Sequence, residues 1–266
     1  MISRRLFART GVGLAASLAV HPGAAQAQES QIIAEMRKRG TIRIATLAGN
    51  PPYSTFKADG TATGYDIEIG QLLAAALKVK PEWITVDAPG RITVLQTGKA
   101  DASIANFTDT IERSISVAFT RPYIVVGSVL MVSRASALQT VEQANQPGIK
   151  VATLRGGTSD DVGAKITPNA TLVQFATVTE AFQALKSGQV DVQVLDSLLN
   201  AAFLAREGGK FRNLPGNWSY EEICIGVPAG DVDWLRIVDT FVRQLVNSGE
   251  NARLFKKYFG YDIPSR

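Results

Sequence analysis

The chain is 266 residues long, with 45% hydrophobic and 20% charged residues, enough to bury a large core and too apolar for an intrinsically disordered chain. Its single His and single Cys exclude an intramolecular disulfide framework, a cysteine cluster for iron–sulfur or structural zinc, and a His-ligated metal centre. The formal charge of +4 suggests a basic protein, but three of its arginines sit in the first nine residues.

Those residues open a segment that reads as an address. Ser3-Arg4-Arg5-Leu6-Phe7 is basic, Gly11 to Val20 is apolar, and Ala25-Gln26-Ala27 offers a small-residue cleavage site. The paired arginines resemble the twin-arginine type of bacterial leader. The apolar stretch is about half of the ~20 residues that a membrane-spanning helix needs. We therefore expect residues 1–27 to be an export signal, cut near Ala27, and the mature protein to be periplasmic. Without Arg4, Arg5 and Arg9, 25 basic residues remain against 24 acidic ones, a formal +1. No basic excess recommends nucleic acid as a partner. Loss of His21 leaves the mature chain without imidazole, so a Ser-His-Asp relay is excluded as well.

The remaining chain alternates short apolar runs with helical patterns. Thr41 to Thr46 reads as a strand, and Tyr65 to Leu77 as a helix with Ile69, Leu72, Leu73 and Ala76 on one stripe. Between them, Asp59-Gly60 marks a plain turn joining short strands. Glu82 to Val86 is a strand, Ile92 to Thr97 a short helix stopped by Gly98, and Ala102 to Ala105 a buried strand. The pattern restarts at Gly148 to Leu154, a strand. Gly156 to Ser159 then forms a turn opening a helix, Leu172 to Phe175 a strand, Thr179 to Leu185 a helix stopped by Gly188, and Val190 to Leu195 a strand ending at Asp196. Two such units imply an α/β protein of two lobes, each a wound sheet flanked by helices. Val125 to Ser133 and Ile223 to Val227 are the expected crossings, which assigns residues 28–126 and 227–266 to lobe 1 and 127–226 to lobe 2. Phe107, Trp83, Trp218, Trp234 and Phe241 fall in periodic apolar settings and are expected in the core, as is Cys224 between Ile223 and Ile225.

Two phrases repeat across the halves, Leu95-Gln96-Thr97-Gly98-Lys99-Ala100-Asp101 and Leu185-Lys186-Ser187-Gly188-Gln189-Val190-Asp191. Each ends a helix and starts a strand. Ligands of open α/β sheets bind beyond the carboxyl ends of such strands. Beyond the first lie Asn106, Thr108 and Arg113; beyond the second lies Asp196. A free α-amino acid needs this pairing: donors for its carboxylate from Arg113, Thr108 and the Thr158-Ser159 helix start, and a carboxylate, Asp196, for its ammonium. Blander roles exist for each. Arg113 can pair with Glu112 or Asp109 at the surface, Asp196 can cap the helix from Ser197, and Pro51-Pro52-Tyr53 can be a rigid turn. Asp160-Asp161 and Glu221-Glu222 read as solvated faces. No G-x-G-x-x-G or Walker-type loop appears, so no cofactor is expected.

Pro51-Pro52-Tyr53, Gly64-Tyr65-Asp66-Ile67, Leu95 to Gly98, Asp101, Thr110-Ile111-Glu112-Arg113 and Phe119 to Tyr123 together resemble the periplasmic solute-binding proteins of amino-acid ABC transporters, family 3. Gly157-Thr158, Asp191, Asp196 and Lys257-Tyr258-Phe259-Gly260 continue the likeness, which runs from about Ile42 to Gly260. The resemblance implies a type II periplasmic-binding fold with two crossover hinge strands. It implies a monomer that closes on an amino acid and presents it to a membrane permease. It also implies that Arg113 and Thr108 hold the carboxylate, that Asp196 holds the ammonium, that Asn106 reaches that same end, and that Gly157, Thr158 and Ser159 contribute from the second lobe, the last two exchangeable within one residue. The family's aromatic sandwich is missing, since Asn50 and Ala88 stand where aromatics are usual. Its role is weakened or moved to Tyr53. The rival reading is an exported prephenate or arogenate dehydratase-like enzyme on the same scaffold, with Glu222 or Asp160 as acid; a periplasmic sensory module shares every feature.

Overall fold

A computed structural model describes residues 30–263. The export signal expected over residues 1–27 lies outside the described residues. Ser30 caps α1 (Gln31–Arg39), which leads into β1 (Thr41–Leu47). A small hairpin, β2 (Thr55–Phe56) and β3 (Ala62–Thr63), turns at Asp59-Gly60, where Thr61 N donates to Asp59 Oδ1. Then follow α2 (Tyr65–Ala76), β4 (Lys80–Val86), α3 (Gly90–Gln96), β5 (Ala102–Thr108), the short α4 (Ile111–Ser114), β6 (Val117–Phe119) and β7 (Ile124–Val126). The second unit runs β8 (Ser128–Ser133), α5 (Val141–Ala144), β9 (Lys150–Leu154), α6 (Thr158–Ile166), β10 (Thr171–Phe175), α7 (Val178–Lys186), β11 (Val192–Asp196), α8 (Ser197–Arg206) and β12 (Phe211–Asn213). The chain returns through β13 (Glu221–Pro228) to α9 (Val232–Asn247) and α10 (Glu250–Phe259), which pack with α2 on the first unit.

The two sheets share one plan. In the first, β4, β1 and β5 are parallel in that order and β13 joins antiparallel, carrying β6 and β7. In the second, β10, β9 and β11 are parallel and β8 joins antiparallel, followed by β12. The repeated phrases explain the likeness. Gly98 and Gly188 each take a left-handed turn after a helix, and Asp101 and Asp191 each accept the backbone N–H of a neighbouring strand, that of Arg43 and of Lys150. Asp101 adds ion pairs to Arg39 and Arg43. Each helix buries its apolar face on its sheet. On α2 the buried stripe is Ile67, Ile69, Leu73 and Ala74, while Ala76, expected on it, is exposed. Phe107, Trp234 and Cys224 are buried; Trp83, Trp218 and Phe241 are only partly so.

The waist is narrow. Val126 ends a strand of the first sheet and Ser128 begins one of the second, so Gly127 alone joins them. A Cβ at Gly127 would lie 2.0 Å from Asn217 Oδ1, so a side chain there would push the Asn217 amide aside. There Trp218 N donates to Ser128 O, and Ser219 Oγ accepts from Ser128 N. The expected return to lobe 1 at residue 227 is corrected: Glu221–Pro228 pairs along its length with β7, β5 and β6, so the second crossing precedes Glu221. The reason is that this strand is buried almost throughout, at Glu221 and from Ile223 to Val227, as a strand inside the first sheet must be.

Candidate functional site

The facing edges of the sheets meet in a cleft whose first residues are strand ends. Leu47, Thr108, Leu154 and Asp196 are the last residues of β1, β5, β9 and β11, and all four line one cavity of about 30 Å³. This is the carboxyl-end crevice that parallel α/β sheets offer. Arg91, Asn106 and Arg113 of the first unit, Gly157, Thr158, Ser159, Leu195 and Leu199 of the second, and Glu221 of the crossing strand complete the lining. The volume admits only a water or two, so the walls stand close. They also touch: Asn106 Nδ2 donates to Asp196 Oδ2 at 2.8 Å, Arg113 Nη2 to Gly156 O at 3.3 Å, and Thr179 Oγ1 to Gly49 O at 3.1 Å.

Arg113 reaches the cleft because Thr110 caps α4 by accepting its backbone N–H, turning the guanidinium inward. There it is buried, with Nη1 on Thr108 O at 2.8 Å. Burial holds its pKa below the usual arginine value. Neither surface partner considered for it, Glu112 or Asp109, forms an ion pair with it among the described residues. Asp196 does two jobs. Its Oδ1 caps α8 by accepting from Leu198 N and Leu199 N, while Oδ2 faces the cleft. Burial pushes its carboxyl up to about 6 despite those hydrogen bonds.

Asn106 stands in the left-handed region, φ 46°, which asparagine tolerates better than other side chains. Its N–H donates to Asp66 Oδ2, its amide to Asp196, and its buried Oδ1 has no partner. Asp66, at the start of α2, also accepts from Tyr123 Oη and is driven by burial to about 7. A layer of carboxylate, amide and carboxylate thus runs from the lobe-1 interior to the cleft.

The other expected site residues divide. Thr108 and Thr158 line the cavity, but both hydroxyls donate to Glu221 Oε2, at 3.2 and 2.5 Å. Ser159 lines it too, with Oγ accepting from Leu154 N. Gly157 caps α6, and the left-handed turn falls on Gly156, φ 68°, where a Cβ would meet Pro89 of the opposite unit at 2.7 Å. Asn50 lines an adjoining compartment of about 280 Å³ with Leu47, Val86, Leu154, Thr177 and Val178; its buried amide has no partner. Tyr53 is not brought to the cleft. It is fully buried against Tyr65 and Phe259, 6.2 and 5.4 Å between ring centroids, so it does not replace the missing sandwich.

Two cleft residues escaped the sequence reading. Glu221, taken for part of a solvated face, is buried and accepts from Thr108, Thr158, Ser128 and Ser219, gathering hydroxyls from both units at the hinge. Its signal was the period-two pattern through Ile223, Ile225 and Val227. Arg91 is buried one helical turn before Leu95, on the face of α3 that the apolar pattern marks as inward. Glu222 and Asp160, considered as acids, do not line this cavity; Asp160 accepts from Thr153 Oγ1 and Gly156 N. Among the described residues no group of three or more His, Cys, Asp or Glu could hold a metal ion, and no helix is long and apolar enough to cross a membrane.

Two wound sheets, two crossing strands and a cleft bearing opposite charges on its walls define a two-lobe binding protein of the type II periplasmic class. Residues 42–261 match the model of the bacterial extracellular solute-binding proteins, family 3, and the chain belongs to that family. It is 30% identical to the L-arginine-binding protein of Pseudomonas aeruginosa over 231 residues, covering 84% of this chain and 89% of that one. It is 25% identical to a cyclohexadienyl dehydratase of the same organism, over 65% of each chain. The crystal structure of an ancestral amino acid-binding protein, described as a precursor of cyclohexadienyl dehydratase, superposes with a TM-score of 0.80 at 33% identity, covering 85% of this chain and 99% of that one.

Proposed function

We propose that this protein is a periplasmic amino-acid-binding component of an ABC transporter, exported by the signal in residues 1–27, cut near Ala27, and acting as a monomer without a cofactor. The observation that carries this reading is that Arg113 and Asp196, from opposite lobes, line one cavity. In it, Arg113 takes the ligand carboxylate from lobe 1, with the Gly157 to Ser159 helix start adding donors from lobe 2, where the first N–H groups of a helix lack intrahelical acceptors. Asp196 and the unpartnered Asn106 Oδ1 take the ammonium. The hydroxyls of Thr108 and Thr158 act through Glu221, which links the lobes as they close. The ligand side chain enters the adjoining compartment, where Asn50 offers a buried amide among Leu47, Val86, Leu154 and Val178. Closure is driven by the ligand's higher affinity for the closed form, and the closed form is what the membrane permease receives.

A thermal-shift screen of the mature chain against the L-amino acids, with mass spectrometry of any copurified molecule, tests this. Binding at about 100 times Kd stabilises the folded state by about 2.7 kcal/mol and raises the melting temperature. No shift with any amino acid overturns the reading. The relationship to cyclohexadienyl dehydratase and the raised pKa of Asp196 favour one alternative, an acid-catalysed dehydratase using the same cleft. Conversion of prephenate or arogenate by the purified protein establishes that alternative; recovery of both unchanged removes it.

A further inference from the structure

Arg91 stands on α3 in the lobe-1 wall of the cleft. It is buried on the inner face of α3, with Nε donating to Ala88 O at 2.8 Å and Nη1 to Ala105 O and Asn106 O at 3.1 and 2.9 Å. Its carbon-centred charge lies 4.6 Å above the Phe107 ring, on which Arg113 also stacks at 5.5 Å. These contacts lock the guanidinium into the lobe-1 wall and leave Nη2 aimed at the cleft. Its acceptor there is Gly156 O of lobe 2 at 3.5 Å, the outer limit of a hydrogen bond, and Arg113 Nη2 uses the same oxygen at 3.3 Å. Among the described residues no carboxylate forms an ion pair with either arginine.

Two buried cations therefore share one neutral carbonyl. That is electrostatically poor, because each guanidinium is short of an anionic partner and the two repel. The consequence is visible in Arg91, which burial and Arg113 together hold down at about 9. Gly156 belongs to lobe 2: it sits in the turn between β9 and α6, where a Cβ would lie 2.7 Å from Pro89 of lobe 1. On the hinge-closure reading proposed above, parting of the lobes takes that carbonyl away with lobe 2 and leaves both Nη2 groups side by side on lobe 1.

Building on the amino-acid reading above, we propose that Arg91 is a second arginine of the ligand site, and that Arg91 and Arg113 together hold the ligand carboxylate, one nitrogen from each, at the position that Gly156 O occupies. Arg91 spends Nε and Nη1 on lobe-1 carbonyls and Arg113 spends Nη1 on Thr108 O, so an Nη2 of each faces the cleft, and a carboxylate has one oxygen for each. The Gly156 carbonyl is then a built-in stand-in for the ligand carboxylate, which the ligand displaces.

The test is calorimetry of the wild type, Arg91→Leu and Arg91→Lys with the L-amino acid that binds best in a screen including arginine, glutamine and glutamate, and with its carboxamide. Arg91→Leu is expected to weaken the amino acid by about 10- to 100-fold. Its binding of the carboxamide, which has no anionic oxygen, is expected to change far less, so the preference for the carboxylate narrows. Arg91→Lys is expected to fall between. An unchanged amino-acid affinity, an equal loss for acid and amide, or a loss confined to glutamate each overturns the proposal, the last by moving Arg91 to a side-chain acid. A wild type that binds no amino acid defeats the underlying reading instead. If Arg91→Leu does not fold, a crystal structure of the wild type with the amino acid decides: its carboxylate within hydrogen-bond distance of both arginines supports the proposal, and contact with Arg113 alone refutes it.

Discussion

The two walls of the cleft are built from equivalent strands yet do different work. The lobe-1 wall offers long side chains braced by their own backbone: Arg91 on three carbonyls, Arg113 on Thr108 O, Asn106 on Asp66. The lobe-2 wall offers short ones and main chain: the Gly156 carbonyl, the start of α6, and an aspartate that is also a helix cap. Lobe 1 thus holds its two cations on its own backbone, while lobe 2 contributes main chain and a capping carboxylate. On the amino-acid reading proposed above, a ligand meets lobe 1 first and draws lobe 2 onto itself.

The cationic wall is where a single substitution should cost the most. Arg113→Ala is expected to weaken amino-acid binding by about 3–5 kcal/mol, since it strands a carboxylate in a desolvated cleft; calorimetry showing less than a tenfold change would take the carboxylate away from Arg113. From the other wall, Asp196→Asn removes the charge but keeps the cap, because asparagine caps as well as aspartate. Affinity is expected to fall by about 2–5 kcal/mol with little change in the unfolding midpoint. The wild type should lose affinity as pH drops through about 6, where Asp196 gains a proton that the ligand ammonium must expel. Affinity that stays flat across that value would separate Asp196 from the ammonium.

Between the walls, Glu221→Gln keeps the shape of the hinge residue but forces one of its hydroxyl donors to find another acceptor. A loss of about 1–3 kcal/mol in denaturant unfolding is expected; an unchanged midpoint would show that the cluster does not couple the lobes. The smallest effect belongs to Asp66. Its folded-state value of about 7 lies above its ordinary 3.8, so the folded protein holds that proton more tightly than the unfolded chain does. Its contribution to stability is full below about 3.8 and is lost as pH rises to about 7. Asp66→Asn should flatten that part of the profile of the ligand-free protein; a mutant profile parallel to the wild type would mean that Asp66 is ionised throughout.

Much of the architecture was legible because it is local. Gly98 and Gly188 announce the helix stops, Asp101 and Asp191 the strand starts, and the repeat of the two phrases announces the two sheets. Of the site, Asp196 was legible as both cap and cleft residue, since both follow from its place at the end of a strand. Tyr53 was not, because a rigid Pro-Pro-Tyr turn looks the same whether its ring faces a ligand or, as here, Tyr65 and Phe259. Arg91 and Glu221 were hidden for a shared reason. A charged residue in an apolar pattern reads as exposed until its neighbours are known, and theirs come from far along the chain: Gly156 for Arg91, Thr108 and Thr158 for Glu221.

Periodicity and composition within short windows were enough to fix the fold class and the alternation of helix and strand. Long-range packing set where the chain returns to the first lobe, which two arginines share an oxygen, and which carboxylate collects the hinge hydroxyls. Those outcomes depend on distances between groups dozens to more than a hundred residues apart, and burial makes each of them strong by removing the water that would otherwise compete.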